Sequence, residues 1–168
     1  KKVLGIVVIS DMIKPTSKNA ISKMNNRKIQ VYMLTGDNNK TAYAIKNEVG
    51  IENVLAEVMP QDKENEIKKL QNKGYKVAMV GDGINDAPAL VRSDIGIALG
   101  AGTDVAIESA DIILIKNDLI DVIKAIDISK YTIKNIKQNL FWAFFYNILG
   151  LPLAAGILFL PVGITLNP

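Results

Sequence analysis

The chain contains neither cysteine nor histidine. Their absence excludes disulfides, thiol chemistry, zinc sites built on His or Cys, and Ser-His or Cys-His nucleophilic pairs. Any catalysis must run on Asp, Glu, Lys, Thr, Ser, Asn or Tyr. Charge is missing too, but only locally: from Gln138 to Pro168 there is not one charged residue. The net charge of +3 is small and the lysines are scattered, which argues against nucleic acid as a partner. A length of 168 residues suffices for one domain with a sizeable core. The chain starts at Lys1 with no initiator Met and with neither signal nor transit peptide, so a piece of a longer protein is expected.

The most informative segment is Gly81-Asp82-Gly83-Ile84-Asn85-Asp86. It follows the apolar run Lys76 to Val80, which reads as a buried strand, and leads into a helix expected from Asn85 to Ser93. Asp82 and Asp86 are two carboxylates on a glycine-rich turn at the carboxyl end of that strand. Such a pair suits Mg²⁺, which takes one or two carboxylates and keeps water and substrate phosphate for its other positions. Open α/β sheets also bind ligands outside the carboxyl ends of their strands. The reading is a Mg²⁺-dependent phosphoryl-transfer site; an isolated Asp-Gly pair is more often a tight turn than a metal site.

Short apolar strands alternate with helices, which predicts a parallel α/β sheet. Strands are expected at Val3–Ile9, Ile29–Leu34, Val54–Val58, Lys76–Val80, Ile95–Leu99 and Ile112–Ile115. Helices are expected from Pro15 to about Arg27, from Asn39 to a stop at Gly50, from Gln61 to Lys73, and from Thr103. Asn117 is the expected cap of a long final helix. Within that helix, Leu140 to Leu160 is long enough to cross a bilayer, at about 1.5 Å per residue and ~30 Å of hydrocarbon. Lys130, Lys134 and Lys137 precede the run, which puts the soluble portion in the cytoplasm and the span in the cell membrane. Pro152 would kink or end the span, and Gly150, Ala154 and Gly156 would let another helix approach.

Thr35-Gly36-Asp37 ends one strand and opens a helix, as a phosphate cradle or as a plain helix cap. Lys63, in the first turn of its helix, either faces phosphate or is a solvated surface lysine. Gly100-Ala101-Gly102-Thr103-Asp104 is an anion-binding loop or a capped loop. Tyr146 and Asn147 lie inside the apolar run, where a polar amide is costly; they are either ligands or, respectively, an interfacial aromatic and interhelical glue.

Taken in order, Thr35-Gly36-Asp37, Pro60-Gln61-Asp62-Lys63 and Gly81-Asp82-Gly83-Ile84-Asn85-Asp86-Ala87-Pro88 resemble the phosphorylation domain of P-type ATPases, which has the haloacid dehalogenase-like fold. The continuation from Asp94-Ile95-Gly96-Ile97-Ala98 through Gly102–Glu108 to Ala110-Asp111 resembles the same family. The run Lys137 to Asn147 is similar to the heavy-metal branch, and within it to Cu⁺ exporters. In that branch a Tyr-Asn pair helps form the membrane copper site, whereas Zn²⁺/Cd²⁺ exporters carry a lysine in the corresponding helix, and the span Leu140 to Leu160 has none.

The resemblance implies roles. Asp82 would be the principal Mg²⁺ ligand, Asp86 would support the metal site, and Asn85 would contact phosphate. Thr35 and Lys63 would hold the transferred phosphoryl group, Gly36 and Asp37 would sit by the nucleotide ATP, and Asp11 would lie in a hinge. Tyr146 and Asn147 would bind Cu⁺, with Ag⁺ against Cu⁺ left open. Implied partners are membrane lipid, a copper chaperone and the remainder of the pump polypeptide.

The implied layout gives residues 1–11 to the last strand and hinge of a nucleotide-binding domain and 12–120 to the second part of the phosphorylation domain. Residues 121–139 form a connecting helix, 140–160 the transmembrane helix, and 161–168 the start of the next loop. The family's Asp-Lys-Thr-Gly-Thr nucleophile motif is absent, so the sheet is expected to lack its central nucleophile strand and the chain alone to be inactive and unstable. Two alternatives accompany the exporter reading: a membrane-anchored phosphatase using Asp11, and a non-enzymatic truncated product associating with an intact pump.

Overall fold

Residues 12–82, 84–100 and 104–155 are described by the structure, a computed structural model. The expected strand Val3–Ile9, the hinge residue Asp11, Gly83, the loop residues Ala101 to Thr103 and the stretch beyond Ala155 lie outside the described residues. The chain divides into two compact units, 1–124 and 125–168.

The first unit alternates strand and helix as the sequence pattern predicts. Its elements are α1 (Pro15–Asn26), β1 (Tyr32–Leu34), α2 (Asn39–Val49), β2 (Asn53–Leu55), α3 (Pro60–Asn72) and β3 (Ala78–Gly81). A 3-10 turn (Ile84–Asp86) then leads into α4 (Ala87–Arg92), β4 (Ile95–Leu99), α5 (Asp104–Ser109) and β5 (Ile112–Leu114). The last helix, α6 (Leu119–Ala154), starts in this unit.

Several differences from the expected elements have local causes. The strand expected from Ile29 begins only at Tyr32, because the Ile29 amide turns back to the Met24 carbonyl at 3.1 Å. That turn closes α1 with Lys28 in the left-handed region at φ 61°, the conformation Gly50 adopts at φ 79° to end α2. The helix expected from Asn85 starts as a 3-10 turn, and regular α-helix begins at Ala87 with Pro88 in its first turn, where a missing amide costs little. The cap of α6 falls one residue later than Asn117. Asp118 Oδ1 accepts the Ile120 amide at 3.0 Å and the Thr16 hydroxyl at 2.9 Å, while the Asn117 carbonyl accepts Lys14 Nζ.

The five described strands are all parallel but fall into two sheets, β1–β2 and β3–β4–β5. Tyr32 pairs with Asn53 in the first; Ala78 pairs with Ile95, and Ile97 with Ile112, in the second. No described strand joins β1 to β3. Under β3, Ile67, Met79, Ala89 and Leu90 form a buried cluster with Val77 packed against it. Burying large apolar side chains such as Ile67, Met79 and Leu90 stabilises the fold by roughly 1.5–3 kcal/mol each.

The amino end of β3 is held by Asp94, which precedes β4. Its carboxylate accepts Lys76 Nζ at 2.8 Å, the Val77 amide at 3.0 Å and Gln71 Nε2 at 3.1 Å. The Lys76 hydrogen bond, followed by those from Val77 and Gln71, holds the carboxyl well below the usual carboxylate range. Because the folded state favours the charged form, its stabilising effect is complete above the unfolded pKa and fades as acid protonates the folded group. The urea midpoint is therefore expected to fall as the pH drops below about 4. Asp94→Asn should flatten that decline; an unchanged pH slope in the variant would assign the acid sensitivity to other carboxylates.

In the second unit, the α6 residues from Ala125 onward are apolar on all sides towards the end. Leu140, Phe141, Trp142, Phe144, Tyr146, Ile148 and Leu151 are all more than half exposed. Phe141 and Phe145 stack on one another and Trp142 meets both edge-on, with ring centroids 5.5–5.8 Å apart. Among the described residues no helix is long and apolar enough to cross a membrane. The uncharged part of the described helix, Gln138 to Ala154, reaches about 25 Å at 1.5 Å per residue, short of ~30 Å of hydrocarbon. The last part of the expected span, Gly156 to Leu160, lies outside the described residues.

Candidate functional site

Parallel strands deliver the candidate residues to their carboxyl ends, Thr35 after β1 and Asp82 after β3. Among the described residues they gather into two clusters with no hydrogen bond or ion pair joining one to the other.

The first cluster is the turn Thr35-Gly36-Asp37. The Thr35 hydroxyl donates to Asp37 Oδ2 at 2.8 Å, and the Asp37 amide donates to Thr35 Oγ1 at 3.1 Å. Neither residue caps the following helix. Asn38 does so, its side-chain oxygen accepting the Thr41 amide at 3.0 Å. The turn is therefore closed on itself and stands ahead of a helix amino terminus that another residue already serves. Gly36 and Asp37 are exposed.

The second cluster surrounds the end of β3. Lys63 Nζ lies 2.7 Å from Asp86 Oδ1, and the two side chains are only 15% and 14% exposed. This is not a solvated surface lysine. Pro60 sets the first turn of α3, so Lys63 is presented one turn into the helix, and the 3-10 turn brings Asp86 to meet it. Asp86 also folds against Gly81: a Cβ built on Gly81 would lie 2.8 Å from both Cβ and Oδ2 of Asp86. Only a residue without a side chain leaves that carboxylate its place. Asp82 and Asn85 are exposed beside the pair.

Asp82 and Asp86 offer carboxylate oxygens, the donors a hard divalent cation takes. No group of three or more His, Cys, Asp or Glu able to hold a metal occurs among the described residues. Zn²⁺ or Ca²⁺ would ask for such a cage; Mg²⁺ does not, since water and phosphate complete its octahedron. The donor set fits Mg²⁺.

Asp104 opens α5, and the rest of its loop from Ala101 to Thr103 is outside the described residues. Tyr146 and Asn147 are exposed on α6, Tyr146 at 81%. Three features carry no signal in the sequence: the room Gly81 leaves for Asp86, the Asp94 clamp, and Glu57, whose backbone sits at φ 58°. A left-handed glutamate leaves no mark in composition or periodicity.

The model of the haloacid dehalogenase-like hydrolases matches residues 1–94. A copper-exporting P-type ATPase of Staphylococcus epidermidis is 59% identical over 151 residues, covering 90% of this chain and 19% of the relative. A zinc-transporting PIB-type ATPase in the E2.Pi state matches at a TM-score of 0.74 with 40% identity, over 83% of this chain and 24% of that one. The catalytic domain of the CPx-ATPase CopB-B, studied upon nucleotide binding, matches at 0.64 with 36% identity, over 70% and 46%. The chain thus spans about a fifth of the length of the curated relative it matches. It belongs to the haloacid dehalogenase-like hydrolases and, within them, is homologous over most of its length to the copper-exporting P-type ATPases.

Proposed function

We propose that the chain supplies the carboxyl-side part of the phosphorylation domain, and the helix that follows it, in an ATP-driven copper(I) exporter. The observation that carries the reading is the largely buried Lys63–Asp86 pair beside Asp82 at the end of β3. A cation and two carboxylates at a strand's carboxyl end are what phosphoryl transfer requires, because its catalysis is mostly positioning and charge stabilisation.

In this reading Lys63 and the Thr35 hydroxyl hold the oxygens of the transferred group, and Asn85 donates to the same phosphate. Gly36 and Asp37 lie against the nucleotide. Asp82 and Asp86 hold Mg²⁺, which when bound neutralises charge on the phosphoryl oxygens. The acceptor is an aspartate in a segment not contained in these residues, consistent with β1 and β3 lying in separate sheets. Attack of that carboxylate on the γ-phosphorus would form an acyl phosphate and release ADP; water would later cleave it to inorganic phosphate.

Copper(I) enters as cargo. Tyr146 and Asn147 are its proposed contacts on α6, with the stretch from Leu140 to Leu160 seated in the cell membrane and the phosphorylation domain in the cytoplasm. The exposed apolar surface of α6 from Leu140 to Leu151 supports a lipid or helix environment there, since a helix apolar all round is rarely left in water. Copper is favoured by the 59% identity to a copper exporter and by the absence of lysine from Leu140 to Leu160.

The test is a graft: this chain replaces the matching segment of the Staphylococcus epidermidis relative, and Mg²⁺-dependent ATP hydrolysis is followed with and without Cu⁺. Retained copper stimulation is expected. Replacing Tyr146 by Phe and Asn147 by Ala together should weaken activation by Cu⁺ about tenfold or more while leaving the Mg²⁺ dependence unchanged. Unaltered copper activation would remove both residues as ligands.

A further inference from the structure

Of the residues around the site, Glu57 is the one whose backbone conformation is hardest to account for by packing. It is exposed, it lies in the connection between β2 and α3, and it is one of two described non-glycine residues at positive φ, at 58°. The left-handed conformation is unfavourable for an L-residue with a long side chain. It persists only where neighbouring interactions hold it, and such positions concentrate at functional sites.

Those interactions run to the Thr35 turn and the helix start beside it. The left-handed turn at Glu57 aims two successive amides the same way: Glu57 N–H donates to the Asp37 carbonyl at 2.9 Å, and Val58 N–H to the Thr35 carbonyl at 3.0 Å. The two carbonyls flank Gly36, and a Cβ on Gly36 would come within 3.5 Å of the Val58 carbonyl oxygen. Just before this turn the β1–β2 ladder ends with the Thr35 amide on the Leu55 carbonyl at 3.0 Å. The Glu57 carboxylate then reaches over the turn to accept the Asn39 amide at 3.4 Å, at the start of α2. Three residues further on, Pro60 begins the helix that carries Lys63.

We infer that Glu57 is a positioning residue, whose left-handed backbone and carboxylate lock the Thr35-Gly36-Asp37 turn to the connection that launches Lys63. No hydrogen bond or ion pair joins its side chain to Lys63 or Asp86; it acts by fixing where the Thr35 hydroxyl stands relative to α3. Loss of the carboxylate frees the first turn of α2 from the β2–α3 connection. The inference rests on the phosphoryl-transfer reading of Thr35 and Lys63.

The test uses the grafted exporter with three substitutions. Glu57→Ala is expected to lower kcat for ATP about tenfold, the scale on which slight misplacement of a positioned catalytic group costs rate. The Cu⁺ activation midpoint and the thermal unfolding midpoint should stay at the parent values. Glu57→Gln keeps an acceptor for the Asn39 amide and should recover to within about twofold of the parent. Glu57→Gly relaxes the backbone but lacks the acceptor, and should remain as impaired as Glu57→Ala. Unchanged kcat in Glu57→Ala, full activity in Glu57→Gly, or Glu57→Gln as weak as Glu57→Ala would each overturn the inference. A kcat loss matched by a fall in thermal midpoint would overturn it in favour of a purely structural role. Thr35→Ala and Lys63→Met are the controls: if both keep full turnover, the phosphoryl-transfer reading itself falls, whereas if they lose turnover and Glu57→Ala does not, only the role of Glu57 falls.

Discussion

Exchange of Lys63 for methionine in the grafted exporter is expected to lower copper-stimulated ATP turnover about a thousandfold, the scale on which a preorganised charge-stabilising group acts. Methionine keeps much of the length and volume of the side chain, so the loss would reflect the ammonium. The exchange also leaves the Asp86 carboxylate, 14% exposed, without the cation 2.7 Å away. Removing one partner of a well-buried pair costs roughly 3–5 kcal/mol, and part of that penalty is expected here as a lower thermal midpoint. The two effects separate in the double variant Lys63→Met with Asp86→Asn, which removes both charges. Its midpoint should return towards the parent while turnover stays lost. Steady-state phosphoenzyme formed from labelled ATP is the direct readout, and turnover within a few-fold of the parent would remove Lys63 from the chemistry.

Gly96→Ala is expected to destabilise the chain by about 3 kcal/mol, as overpacking against a fixed neighbour does. Gly96 lies in β4 opposite Met79, and a Cβ there would meet the Leu90 carbonyl oxygen at 2.9 Å and the Ser109 carbonyl oxygen at 3.3 Å. Both obstacles are backbone, one in α4 and one at the end of α5, so neither can rotate away. The strand is pinned from the other direction as well: the Gly96 amide donates to Asp111 Oδ2 at 2.8 Å, and its carbonyl accepts the Asp111 amide at 2.9 Å. Relief therefore requires α4 to lift from the sheet, and α4 carries Leu90 and Ala89, both almost fully buried. Urea unfolding followed by circular dichroism would measure the loss. A midpoint within experimental scatter of the parent would mean that α4 has more freedom than its packing implies.

Much of this architecture was legible because its signals are local. Pro15 marks a helix start, Gly50 a helix end, and the apolar runs before Thr35 and Gly81 give their strands, while the helix expected from Gln61 begins one residue earlier, at Pro60. The pairing of Lys63 with Asp86 was not legible in itself, since the two residues lie on different elements and only the fold brings them together. Sequence spacing offered two fates for the Thr35 turn, cradle or cap; Asn38 decides against the cap by filling that role itself. The shift from Asn117 to Asp118 at the start of α6 depends on Thr16, more than a hundred residues earlier, donating to Asp118. Glu57 and Gly96 are beyond any local reading, because their requirements come from a left-handed φ and from a backbone oxygen on another helix.

The Lys63–Asp86 pair has a bearing on what can enter the site at all. With the ammonium and the Asp86 carboxylate in contact and the Asp82 carboxylate beside them, the cluster has no surplus positive charge and presents little attraction to a lone anion. A stray sulfate or phosphate would have to pull Lys63 away from its carboxylate and leave that carboxylate mostly buried and unmatched. In the proposed reaction a phosphate arriving with a divalent cation would face no such obstacle, since the cation would take over Asp86 as the phosphate took over Lys63. In the proposed reaction the contact would therefore act as a coincidence detector, favouring the two ions together over a lone anion.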